Sequence, residues 1–346
     1  MRVNHCGGTA GWFGLSLCLA STQALPQARA DLARTPLARA TVVAVGRDLD
    51  LGVVLAGALT RSGDVLLIEQ GRAAVRRINR LGRVTVEYGR PGAGPGEHRF
   101  PYRVMELDDG AVIVYDLSLQ AFSEYRPAGQ FVRRWYLSSP LQSLDDLVPL
   151  PGRRFALSGV LEGTAATGHA VHVFDSAFVR RRSFGALPPS RSPSLRAQWG
   201  AGALVRARSG NVVFSRRLPY ELTEFTELGQ VMWSQRINRR VSRGAEDALA
   251  VETSGQQTTV RARTDVAYPA GLTPLKGGGW LSVRVVDGAR WWDEIDKERR
   301  LRRTVAAPSW LSFCIGADPE TGVGWWVGTE DDLPILWWIS PAGDSA

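Results

Sequence analysis

Six times along the chain a glycine opens a short apolar run: Gly63 in GDVLL, Gly110 in GAVIV, Gly152 in GRRFA, Gly210 in GNVVF, Gly279 in GWLSV and Gly322 in GVGWW. A second anchor follows each, an apolar residue, three intervening residues, then usually glycine. It is Ile78 in INRLG, Tyr125 in YRPAG, Phe174 in FDSAF, Phe225 in FTELG, Ile295 in IDKER and Ile339 in ISPAG. The offset between the anchors is 15, 15, 22, 15, 16 and 17 residues, and the second anchors recur at intervals of 47, 49, 51, 70 and 44. A repeat of this length, built of short β-type runs and turn residues, is the pattern of a propeller blade.

The local chemistry agrees. GDVLLIE and GAVIVYD are aliphatic and β-branched, too short for helices and bounded by turn residues. NRLG, RPAG and TELG are hairpin turns in which glycine supplies a positive φ. One small sheet cannot bury both its faces. Stacking neighbours radially buries them, and closing the ring removes the exposed ends. The expected fold is all-β, a six-bladed β-propeller. After ILWWISPAGDSA no last strand follows, whereas TVVAVG (41–46) precedes the first unit. That N-terminal strand is expected to complete the last blade and lock the ring. The 70-residue interval holds an insertion at about 239–265, polar and partly helix-compatible, read as a lid, a partner-binding loop or a surface excursion.

Residues 94–131, GPGEHRFPYRVMELDDGAVIVYDLSLQAFSEYRPAGQF, resemble an NHL-type propeller repeat. The resemblance is carried by the Gly-rich lead-in, Phe100-Pro101 before the inner strand, the Asp109-Gly110 turn, Val114-Tyr115-Asp116, and Gly129-Gln130-Phe131. It is looser in blades 1 and 4 and skeletal in blades 3, 5 and 6. The family's Asn-x-Arg after the V-x-D strand is replaced here by LSLQAF. The resemblance implies a secreted bacterial six-bladed propeller.

The amino terminus reads as a signal peptide over 1–30: Arg2, the apolar GWFGLSLCLA (11–20), and Ala28-Arg29-Ala30 before Asp31. Residues 31–346 would then form a single propeller domain, secreted or periplasmic, with lipidation at Cys18 as the alternative. The apolar stretch is too short to span a bilayer, so no transmembrane segment is expected. Cys314 alone remains beyond the leader, which leaves no disulfide framework; it sits in WLSFCIG and reads as a buried thiol. Without Arg2 and Arg29 the chain keeps 40 basic residues against 34 acidic ones. These are spread along the sequence and not gathered on one element, so no nucleic-acid partner is expected. A monomer is expected.

The stretch GRPGAGPGEHRFPYRV (89–104) invites a nucleotide reading and does not support one. It matches neither phosphate-loop pattern, Pro95 removes a backbone donor, and a strand rather than a helix follows. Of the three histidines after the leader, His169 and His172 are three apart on a strand and face opposite ways. No catalytic residue, metal ligand or cofactor is assigned. The reading is a non-enzymatic binding or scaffold propeller that takes a protein partner or a small polar or carbohydrate ligand through loops leading into the inner strands. Glu97, His98, Arg99 and Tyr102 from blade 2, Asp145 and Asp146 from blade 3, Trp199 from blade 4 and Tyr268 from blade 5 are the candidate contacts. Two alternatives stand beside it. A metal-dependent lactonase or lyase needs carboxylates or His on several inner strands, yet LAGALT, WGAGALV and YPAGLTPL are nearly bare. A carbohydrate-binding face would use the paired tryptophans 291–292, 325–326 and 337–338, which otherwise fill the wedges between sheets.

Overall fold

A computed structural model describes Leu37 and residues 41–45, 49–161, 168–188, 202–237, 249–254, 257–262, 268–286, 289–330 and 333–340. Among the described residues every regular element is a strand, and six antiparallel sheets carry four strands each. The inner strands of blades 1 to 6 are Val54–Leu59, Pro101–Glu106, Leu141–Leu150, Gly202–Arg206, Tyr268–Pro274 and Leu311–Ala317. Contacts between successive inner strands run all the way round, including blade 6 to blade 1. The fold is a six-bladed β-propeller.

Each sheet is covered on both faces by its neighbours, which explains why the second strands are continuous apolar runs. Val65–Glu69 and Val112–Asp116 are buried at all five positions. Successive side chains point into opposite wedges: Val65 and Leu67 pack against blade 6, Leu66 and Ile68 against blade 2. Six hydrophobic clusters result, one in each wedge. The outer strands have only partial cover, and Val84–Tyr88 and Leu301–Ala306 are exposed over most of their length.

The ring closes as the sequence implies. Thr41–Val45 pairs antiparallel with Leu333–Ser340, in the register Thr41↔Ser340 to Val45↔Leu336. Trp325 Nε1 reinforces the seam by donating to the Gly63 carbonyl at 2.8 Å.

Gly63, Gly82, Gly110, Gly129, Gly210 and Gly229 are turn residues with one geometry, each at positive φ and donating its N–H to the carbonyl three residues back. In blade 1, Gly82 N–H donates to Asn79 and Asn79 N–H to Arg83, a turn followed by a bulge; Gly82 sits at φ 73°. Blades 3 and 5, which lack the glycine, make the same turn with Phe178 (φ 62°) and Arg299 (φ 69°). Neighbours hold these two strained residues. Phe178 lies against Trp135, ring centroids 3.7 Å apart, and Arg299 pairs with Glu224 at 2.8 Å. In blade 5 the left-handed residue of the first turn is Gly278, one position before the glycine marked by the repeat. The insertion between blades 4 and 5 contains a β-hairpin, Leu249–Ser254 with Gln257–Ala262, in place of the helix-compatible segment expected there. The signal-like residues 1–30 lie outside the described residues.

Candidate functional site

The six inner strands surround a central cavity of about 780 Å³. Its waist is aliphatic, with Gly57, Ala58, Met105, Leu147, Val205 and Ile315 on the wall. Gly57 permits close approach there, since a Cβ would fall 2.6 Å from Ile315 Cγ2 of the neighbouring blade. Charged groups gather at the two mouths. Arg61, Glu106 and Asp108 lie where the strands end; Arg103, Asp145, Asp146 and Arg217 lie at the leading mouth, where the strands begin.

Bulges build the leading mouth. The register skips one residue at Tyr102 in blade 2, at Asp145 in blade 3 and at Ser312 in blade 6. A bulge breaks the two-residue alternation and re-aims side chains, which is how the consecutive Asp145 and Asp146 both reach the cavity. Arg103 is held by main-chain oxygens: Nε donates to Asp145 O at 2.6 Å and Nη1 to Tyr102 O at 2.8 Å. Its guanidinium lies 4.1 Å from the Tyr102 ring centroid. Arg217 Nη2 donates to Asp145 Oδ1. Asp146 receives the N–H groups of Leu147 at 2.9 Å and Leu204 at 3.0 Å, tying blade 3 to blade 4. Burial raises the Asp145 carboxyl against the opposing pull of Arg217 and Arg103. Burial pushes Asp146 up to about 6, against Arg103 and the two N–H donors.

The structure divides the sequence-derived candidates. Asp145 and Asp146 do line the cavity, from within an inner strand and not from a loop before it. Tyr102 does not line it but carries Arg103. Glu97, His98 and Arg99 do not reach the channel. Their segment folds back on the outer strand of blade 2, where Arg134 donates to the carbonyls of Ala93 and Glu97. Glu97 is engaged by Arg90 at 3.1 Å and by the Gly94 N–H at 2.8 Å, and these contacts lower its carboxyl. His98 is fully buried, its Nε2 2.8 Å from Tyr125 Oη and its Nδ1 3.5 Å from Asp116 Oδ2. Arg99 contributes its backbone N–H to Asp116 Oδ2 at 2.7 Å. Trp199 lies outside the described residues, as does the side chain of Tyr268.

Sequence reasoning missed Arg103 and Arg217. The available signal was a charged residue inside the inner-strand run PYRVME. Cys314 is on the channel wall, and burial pushes its thiol up to about 12, which keeps it protonated. His172 is buried with Nδ1 2.8 Å from Ser183 Oγ, and burial brings it down to about 4. Among the described residues no three His, Cys, Asp or Glu side chains converge to hold a metal ion. Trp292, Trp325, Trp326 and Trp337 are all buried in wedges, and Arg80 covers the Trp338 ring at 4.4 Å. Trp291 is exposed without its partner Trp292, so the paired tryptophans form no shared stacking platform.

The fold is that of a six-bladed propeller with an axial cavity. The solved structures it resembles share that architecture at low identity. A gluconolactonase from Xanthomonas campestris matches with a TM-score of 0.54, at 13% identity over 90% of this chain and 92% of that one. A member of the DUF4221 family from Bacteroides vulgatus gives 0.54, at 7% over 88% and 99%. Virginiamycin B lyase from Staphylococcus aureus gives 0.52, at 13% over 83% and 80%. No family model and no curated sequence matches the chain. These likenesses concern the fold.

Proposed function

We propose that the protein is an exported binding propeller of NHL-like character that takes a small polar ligand at the leading mouth of its central channel, without turning it over. One observation carries the reading. All six inner strands meet around a cavity of small-molecule size, and the carboxylates at its leading mouth are already committed to internal donors: Asp145 to Arg217, Asp146 to two backbone N–H groups. Carboxylates engaged in this way hold the mouth in shape and are not free to relay protons. The leader-like residues 1–30 support export.

The test is a thermal-shift and calorimetry screen of the purified protein against small polar metabolites, repeated on Ser312→Trp, which places a bulky ring on the channel wall at the leading mouth. Hits should lose affinity in the variant while circular dichroism stays unchanged. Ligands that bind both proteins equally would move the site off the channel.

A second reading has its own support. A carboxyl raised to about 6 beside a cavity suits general acid–base work near neutral pH, and the similar folds include a lyase and a gluconolactonase. Hydrolysis or elimination by the purified protein, lost in Asp146→Asn, would establish it in place of simple binding.

A further inference from the structure

We propose that the channel ligand carries a carboxylate, and that Arg103 is the residue that receives it. The inference rests on the channel reading above and adds the ligand's charge. It follows from the hydrogen-bonding capacity left at the leading mouth. Asp145 Oδ1 is taken by Arg217. Asp145 Oδ2 is buried and has no hydrogen-bond partner among the described residues. Both oxygens of Asp146 are taken by N–H groups. Three of the four carboxylate oxygens at the mouth already hold a donor, and the fourth is buried.

Its donor capacity is different. Arg103 bonds only carbonyl oxygens, and among the described residues no carboxylate lies within ion-pair distance of it. Two carbonyls and the Tyr102 ring fix the plane of its guanidinium. Its Nη2 edge has no hydrogen-bond partner among the described residues. A planar cation whose orientation is already set loses little side-chain entropy on binding, and its fork matches a carboxylate. Arg206, further along the channel wall on the inner strand of blade 4, likewise has no ion-pair partner among the described residues. Other arginines between blades do find one: Arg77, Arg153 and Arg299 each bridge to an acid of a neighbouring blade. An arginine fixed in place by neutral acceptors, with one edge of its fork unfilled on the wall of a cavity, is arranged for an anion from outside.

The probe is glutarate against its neutral diamide, glutaramide, titrated calorimetrically at low ionic strength into wild type, Arg103→Gln, Arg103→Lys and Ser312→Trp. Support would be binding of glutarate with little or none of the diamide, an affinity loss of tenfold or more in Arg103→Gln at unchanged melting temperature, and a smaller loss in Arg103→Lys. Equal binding of the two probes, blocked by Ser312→Trp but indifferent to Arg103→Gln, overturns the carboxylate assignment and leaves the channel reading standing. Glutarate binding that neither variant weakens places the anion elsewhere and overturns the assignment. No detectable binding of either probe up to about 10 mM also overturns it.

Discussion

Asp116→Asn tests whether the Gly-rich segment before blade 2 is held for structure. The Asp116 carboxylate collects three backbone donors, Arg99 at 2.7 Å, Phe100 at 2.9 Å and Leu119 at 2.8 Å, and lies beside buried His98. Burial alone would raise this carboxyl. Contact with His98 and the three N–H groups outweighs burial and holds it down from 3.8 to about 2. A folded pKa below the unfolded one contributes stability that is fully present above the unfolded value and lost as pH falls through the folded one. At about 1.4 kcal/mol per unit, the contribution is about 2 kcal/mol at pH 7. Asparagine removes it and turns an amide N–H towards at least one backbone N–H, which costs about 1–3 kcal/mol more. Urea unfolding at pH 7 should show the variant less stable by about 3–5 kcal/mol, with the gap narrowing as pH falls from 4 towards 2. Channel ligands should bind the folded variant normally. A loss below about 0.5 kcal/mol at pH 7, or a gap unchanged between pH 7 and pH 3, would refute the account.

Asp146 has the opposite sign. Its carboxyl is raised from 3.8 to about 6, so its stabilising contribution is full below about pH 4 and is lost as pH rises through 6, a swing of about 3 kcal/mol. Asp146→Asn should flatten that part of the stability curve between pH 4 and 7; an unchanged slope would assign it to other groups. Arg299→Ala and Arg299→Gly both remove the contact with Glu224 and the stacking over Trp233. The glycine variant should nonetheless be the more stable by about 1 kcal/mol, because φ 69° strains alanine. Equal melting temperatures would mean the turn has relaxed.

What could be read from the sequence follows from where the repeat imposes a physical requirement. Gly63, Gly82, Gly110 and Gly129 mark turns because only a left-handed residue closes them in that register. VLLIE and VIVYD mark second strands because both faces are covered. TVVAV reads as the closing strand because the ring leaves one place unfilled. The site was harder to read. Asp145 and Asp146 were found by charge, but their arrival in the cavity depends on a bulge that no residue type announces. Glu97 and His98 look chemical in the sequence, yet Arg134, 37 residues after Glu97, draws their segment to the outer rim. Arg103 looks like an ordinary strand residue until the Asp145 carbonyl of the next blade is placed beside it.

The closing strand also sets a timetable. Blades 1 to 5 are each made from one continuous stretch, so their sheets can form as the chain lengthens. The sixth cannot: Thr41–Val45, made before blade 1, pairs with Leu333–Ser340, made after blade 5. Until then the strand waits unpaired and the wedge of Val45, Trp325 and Leu336 stays open. Closing so long a loop is the entropically costly step and comes late. The seam is therefore the part of this protein most exposed to mispairing during folding. It is also where stabilising contacts should slow unfolding without speeding folding.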